Sequence, residues 1–214
     1  MSGFIVFDTE TSGLMDYKRS ADAQIKQPRV AEFAGILLDS AFRIESTFHR
    51  FVLPAGWEMT PETTAINGLT TEFLREHGKP IEEVLDWYSE HILSGRPVVA
   101  FGAQFDCKMM RGELRLAGRD DLFEHTPNIC LMRSARPFAK QIGRELVKAG
   151  GNNKGWPKLD DLCNFLGVER TEKHRGMADC KDATSCLQKM ITLGFEPVAE
   201  VHHAKNYEEI KNNV

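Results

Sequence analysis

Phe4-Ile5-Val6-Phe7-Asp8-Thr9-Glu10-Thr11-Ser12-Gly13-Leu14 reads as a buried strand that delivers carboxylates at its end. Four apolar, mostly strand-favouring residues lead into an acid, a Thr and a second acid, and Ser12-Gly13 then supplies a turn signal. In an extended chain residues two apart face the same way, so Asp8 and Glu10 project to one side, within reach of a shared cation. Two carboxylates held that close repel each other unless a proton or a metal ion sits between them. Hard oxygen ligands in that number favour Mg²⁺ or Mn²⁺ over zinc. Acid-x-acid also occurs at ordinary solvated strand ends, so the meaning of the pair depends on partners further along the chain.

The composition sets the frame for those partners. The 214 residues are 42% hydrophobic and 27% charged, as in an ordinary globular protein, and suffice for one well-buried domain. No apolar run approaches the roughly 20 residues needed to span a bilayer. Met1-Ser2-Gly3 offers no basic region before the first apolar run, so that run is a strand and not a signal peptide. The expectation is a cytoplasmic protein with no membrane association. Cys107, Cys130, Cys163, Cys180 and Cys186 are odd in number and contain no C-x-x-C pair, which argues for free thiols over a disulfide framework or a zinc site. A formal charge of −4 exerts no global pull on nucleic acid, so a phosphate-bearing substrate would need local basic groups or metal ions.

Taken in order, residues 15–28 are polar and mixed in charge and read as a long loop, solvated or lying against a substrate. Residues 30–38 and 44–53 read as two further strands, with Glu32 either capping an acidic cluster or facing water. Ile66-Asn67-Gly68 reads as a turn that places Ile66 and Leu69 on a short irregular segment, and Thr70 as a helix N-cap. Residues 81–93 carry apolar side chains at three- and four-residue spacing and form an amphipathic helix, in which Trp87 and His91 are packing residues. A short buried strand at 97–101 precedes a helix from Asp106 that ends at Gly118. Residues 128–138 read as a strand edge and helix, 150–157 as a loop and 159–166 as a short helix. His174 lies just before the last long helix, and Asp179 lies in its first turns. Residues 195–214 are polar with a helical tendency from position 198. This order fits an α/β sheet with a three-stranded antiparallel start. Asp8, Glu10, Asp106 and Asp179 can then meet at one edge of the sheet.

Five segments carry a family resemblance: Phe7-Asp8-Thr9-Glu10-Thr11-Ser12-Gly13-Leu14, Ile66-Asn67-Gly68-Leu69-Thr70, Phe105-Asp106, Leu159-Asp160-Asp161-Leu162-Cys163 and His174-Arg175-Gly176-Met177-Ala178-Asp179. In this order and spacing the chain resembles the DnaQ-like 3′→5′ exonucleases of the DEDDh type, within the ribonuclease H-like superfamily. His174 stands five residues before Asp179, as that subtype requires. The chain departs from the pattern at Phe101-Gly102, where the family usually has His-Asn, at Ser12 for Thr and at Gly176 for Ala.

The resemblance implies an α/β, ribonuclease H-like fold, a mixed five-stranded sheet of three antiparallel strands then parallel strands flanked by helices, forming an exonuclease domain over residues 1–194 with a C-terminal extension over 195–214. It implies hydrolysis of phosphodiester bonds from the 3′ end of nucleic acid, single-stranded DNA slightly preferred, releasing nucleoside 5′-monophosphates. Two Mg²⁺ ions about 4 Å apart would neutralise the phosphate and stabilise the attacking and leaving oxygens, with Mn²⁺ as a substitute. Asp8, Glu10, Asp106 and Asp179 would be the metal ligands, and His174 the general base. Thr9, Leu14, Ile66 and Phe105 would grip the terminal nucleotide, and basic residues of 17–29 together with Arg175 and Lys181 would contact phosphates. The alternatives are an RNA-trimming exoribonuclease, or an inactive nuclease-fold subunit of a polymerase or repair complex.

Overall fold

A computed structural model describes residues 3–16, 18–19, 22, 27–122, 125–147, 155–170 and 172–201. In chain order its elements are β1 (Phe4–Thr11), β2 (Val30–Leu38), β3 (Ile44–Phe51), α1 (Pro61–Asn67), α2 (Thr71–His77), α3 (Ile81–Leu93), β4 (Val98–Ala100), α4 (Ala103–Leu116), β5 (Asn128–Cys130), α5 (Leu131–Gln141), α6 (Leu159–Leu166) and α7 (Gly176–Thr192). The five strands form one sheet in the order β3-β2-β1-β4-β5. β1 pairs antiparallel with β2 and β2 with β3, while β4 runs parallel to β1 and to β5. This is the mixed five-stranded α/β sheet expected from the sequence, with the acid-bearing strand at its centre.

β1 and β2 read as continuous apolar runs because both faces of the sheet are covered. On one face Phe4, Val6, Ala34, Ile36 and Val99 join one buried cluster with Leu131, Phe138, Leu162, Cys180 and Leu187 from α5, α6 and α7. On the other, Ile5, Phe7, Phe33 and Val98 pack against Val84 and Tyr88 of α3 and Met110 of α4. Ring contacts of Phe7 with Phe33 (5.6 Å between centroids) and Tyr88 (5.5 Å) bind strand to helix there. Trp87 stacks on Phe48 at 5.0 Å, which bears out its reading as a packing residue. All five cysteines are buried and free.

Three local expectations differ from what is found. Ile66 and Asn67 lie in a helical turn, α1, and not in an irregular segment: Thr60 accepts a hydrogen bond from the Thr63 N–H, Pro61 occupies the first turn, and Gly68 closes the helix at φ 71°. The helix bearing Asp106 starts at Ala103, so Asp106 sits in its first turn. Glu32, for which the sequence leaves two settings open, is buried, 1% exposed. At the C-terminal end, residues 198–201 form no helix, and Glu200 bridges to Asn128; residues 202–214 of the expected extension lie outside the described residues, as does much of the 15–28 loop.

Gly35, midway along β2, is fixed by packing: a Cβ there would lie 2.4 Å from the indole of Trp87. That ring is held by Phe33 and Phe48 and has little room to yield. Gly35→Ala should therefore destabilise the protein by about 1–3 kcal/mol, the usual result of overpacking a core. Urea unfolding of the variant, with an unchanged m-value, checks this; a midpoint equal to wild type would show that the Trp87 shelf moves freely.

Candidate active site

The C-terminal end of β1 brings its two acids to the edge of the sheet, beside a register shift between Glu10 and Thr11. Such bulges re-aim side chains and end regular pairing. A cavity of about 540 Å³ opens there, and its lining includes Asp8, Glu10, Asp106, His174 and Asp179. Asp106 and Asp179 each lie in the first turn of a long helix, α4 and α7. All five residues expected to carry the chemistry thus meet in one place, brought from three distant parts of the chain.

Each acid is held differently. Thr9, between the two β1 acids, donates both its backbone N–H (3.1 Å) and its hydroxyl (2.8 Å) to one oxygen of Asp106. Glu10 accepts from the Asn67 side-chain amide at 3.3 Å. Asn67 is buried at the end of α1, and its own Oδ1 accepts the Leu69 N–H at 3.0 Å. Asp179 accepts from Arg170, whose guanidinium also reaches Asp160 and, at 2.8 Å, Asp182. Lys173 adds a second bond to Asp160 at 2.6 Å. The loop between α6 and α7 is tied to both helices by these contacts of Arg170 and Lys173, just before His174, which has a left-handed backbone (φ 55°). A non-glycine residue in that region is uncommon and is held there by its surroundings. One oxygen each of Glu10 and Asp179 and one ring nitrogen of His174 lie within 4.8 Å of one another.

The electrostatics follow from burial and crowding. Burial, then repulsion from Asp106, Glu10 and Asp179, holds the Asp8 carboxyl well above the usual carboxylate range. Glu10 is raised to about 7, chiefly by burial, against the pull of the Asn67 hydrogen bond. Asp106 is raised to about 7 by burial despite the two Thr9 bonds. Asp179 is raised by burial and drawn back by Arg170 and His174.

Of the residues expected to grip substrate, Thr9 and Phe105 line the carboxylate cavity. Both donors of Thr9 are already given to Asp106. Leu14, 75% exposed, lines a separate cavity of about 900 Å³, and Ile66 stands on α1 next to Asn67. Among the expected phosphate contacts, Arg29 is instead engaged with the buried Glu113 at 2.6 Å, which also caps the Val30 N–H. Arg175 lies 3.8 Å from Glu32 and over the ring of Phe51.

Four residues near the site went unmarked or unresolved in the sequence. Asn67 reads there as a turn residue, and Arg170 and Trp156 belong to no pattern. Glu32, the cross-strand neighbour of Glu10, accepts from or pairs with His49 at 2.7 Å. Its position also accounts for Gly176: a Cβ there would stand 3.2 Å from the Glu32 carboxyl carbon. The glycine departure and the buried glutamate are one feature.

Comparison with curated proteins gives no match. Among solved structures, the fold is similar to Escherichia coli exonuclease I in a zinc-bound complex with single-stranded DNA, with a TM-score of 0.73 and 20% identity over 91% of this chain and 41% of that one. It is similar to the same enzyme in complex with a dA16 oligonucleotide (TM-score 0.71, 21% identity, 90% and 41% covered). A third likeness is to cell-death related nuclease 4 (TM-score 0.72, 15% identity, 92% and 66% covered). The chain spans about two fifths of the exonuclease I chains, and at these identities the likeness is one of fold. The family model described as Exonuclease, of the RNase T type, matches residues 5–187. That span holds every residue of the carboxylate cavity, and the chain is a member of this exonuclease family.

Proposed function

We propose that this chain is a divalent-metal-dependent 3′→5′ exonuclease that hydrolyses terminal phosphodiester bonds and releases nucleoside 5′-monophosphates. The observation that carries the reading is the convergence of Asp8, Glu10, Asp106, Asp179 and His174 on one cavity in a member of the exonuclease family. The donor set fits hard cations. Four carboxylates sit together with too few positive partners, their protons are held abnormally tightly, and divalent charge would relieve both burdens. Two Mg²⁺ ions, with Mn²⁺ as a substitute, would supply Lewis acidity and charge neutralisation at the phosphate. Asp8, Glu10 and Asp179 would hold one ion, and Asp8 with Asp106 the other.

The chain's own groups have separable tasks. His174 takes the proton of the attacking water at a ring nitrogen, a task suited to imidazole near neutral pH. Thr9 keeps Asp106 in place, and Asn67 does the same for Glu10. Phe105 faces the sugar and base of the terminal nucleotide, with Leu14 and Ile66 contacting the strand from the α1 side. Single-stranded DNA is the preferred substrate in this reading, supported by the fold likeness to an exonuclease bound to single-stranded oligonucleotides.

Matched DNA and RNA oligonucleotides carrying a 5′ label, incubated with Mg²⁺, Mn²⁺ or EDTA, should give a metal-dependent ladder shortening from the 3′ end, faster for DNA. Asp8→Ala should remove all turnover while leaving the fold intact. Absence of cleavage by wild type with either metal would overturn the proposal, and faster loss of RNA would reassign the substrate.

His174→Ala should lower kcat by about 10²–10⁴, the usual worth of a general base. Calorimetric titration should find Mn²⁺ still bound by this variant. Loss of Mn²⁺ binding would make His174 a ligand and not the base.

The raised carboxyl pKa values also fix a sign for the metal-free protein. The folded chain binds these protons more tightly than the unfolded chain, so their stabilising contribution is complete below about pH 4 and is lost as pH rises through about 7. The thermal midpoint in EDTA should therefore carry a falling component between about pH 4 and about pH 7. Asp8→Asn, which removes one of the clustered ionisable carboxyls, should reduce that fall and raise the midpoint at neutral pH. A variant with an unchanged profile would show that the acids do not repel one another in the folded state.

A further inference from the structure

Trp156 is 55% exposed and is among the residues that line the carboxylate cavity. An indole left half in water forgoes much of the burial that makes tryptophan favourable in a folded chain. We propose that Trp156 is the stacking platform for a nucleobase of the substrate strand, an inference that rests on the exonuclease reading above.

The cavity's chemistry selects such a ligand. Its acidic side repels a bare anion, while Trp156, Phe101, Phe105 and Met132 present apolar and aromatic surface to the same space. The volume of about 540 Å³ lies within the ordinary range of small-molecule sites, about 300–1,000 Å³. A ligand suited to both sides carries a flat apolar group joined to a phosphate that brings or shares cations, and a nucleotide is such a ligand. Base-on-aromatic stacking is tolerant of sequence because every base has a π-face. Tolerance of that kind is what an enzyme removing successive nucleotides requires.

The mounting of the ring supports the same conclusion. Pro157 restricts the backbone of Trp156 to extended conformations. Directly after it, the Lys158 N–H donates to the buried Asp161 carboxylate at 2.7 Å, which fixes the start of α6. Leu159 and Leu162 then anchor that helix in the core. The backbone that carries the indole therefore leads straight into an anchored helix, which lowers the ordering cost when a base stacks on the ring. Arg133 is tied to Gln104 at 2.9 Å, and its guanidinium stands 5.9 Å from the Trp156 ring centre, at the outer limit of cation–π contact. It stands over one face of the ring, and a base would stack on the other.

The test compares wild type, Trp156→Ala and Trp156→Phe on single-stranded homopolymers of each base. It includes oligonucleotides whose 3′-terminal or penultimate residue lacks a base. A stacking platform predicts KM raised about 5- to 100-fold in Trp156→Ala for every base, with kcat changed far less and most of the affinity restored in Trp156→Phe. It also predicts that removing a base from one of those two residues weakens binding to wild type but adds little loss in Trp156→Ala. A damaged α6 would lower performance on intact and abasic substrates alike, and that result would overturn the proposal. If wild type trims oligonucleotides and Trp156→Ala keeps its KM within about twofold, the platform is wrong and the exonuclease reading stands. If wild type neither trims nor binds them, both fall.

Discussion

The crowding of four carboxylates into a site poor in water, where burial first and like charge second oppose ionisation, is the constraint to which the rest of this molecule answers. Asp8, Glu10, Asp106 and Asp179 are crowded into one cavity, where burial and like charge both favour the protonated forms. A flexible scaffold would relax by letting the acids part. This one cannot, because β1 is the central strand, paired on both edges and covered on both faces. The sheet therefore stores an unfavourable arrangement at its edge and supports it with packing elsewhere, as functional sites commonly do.

Local devices soften the repulsion without removing it. Asp106 and Asp179 stand in the first turns of α4 and α7, where the positive ends of two helix dipoles meet the cavity. Thr9 supplies two hydrogen bonds to Asp106, Asn67 one to Glu10, and Arg170 links Asp179 to Asp160 and Asp182. Glu32 extends the acidic stripe across to β2, where His49 and Arg175 face it and Gly176 gives it room. The α6–α7 loop gains its shape from the same charges, since Arg170 and Lys173 are drawn to Asp160 on one side of His174.

Much of this was legible in the sequence because the signals were local. Apolar runs ending in Asp8 and Glu10 are properties of a short segment whose geometry follows from backbone period, and the spacing of His174 to Asp179 was legible through the family resemblance. The order of elements then sufficed for the antiparallel start of the sheet, and the resemblance supplied the rest. What was not legible depends on pairs far apart in the chain. Asn67 meets Glu10 across 57 positions, and nothing in an Asn-Gly turn signal announces that its amide is pointed inward. Arg170 becomes informative only when α6 and α7 bring three acids around it. Glu32 could be read either way until β2 was seen to be covered on both faces. The helix α1 is a different case, because Thr60-Pro61-Glu62-Thr63 carries a capping and first-turn pattern that a short window could have recognised.

The distribution of these supports is uneven, and the unevenness is informative. Asp106, Glu10 and Asp179 each have a donor in the protein that draws their carboxyls back toward the ionised form. The strong influences on Asp8 all push the other way. Asp8 is also the acid nearest the middle of the group in fold terms, on the central strand between the helix that carries Asp106 and the helix that carries Asp179. Under the proposed function, the position with least internal compensation is the one that gains most from external positive charge. A carboxylate shared between two cations would be best placed there, because each cation offsets a repulsion that none of the described influences on Asp8 relieves. The three better-supported acids would then set where those cations sit, and Asp8 would set how strongly they are wanted.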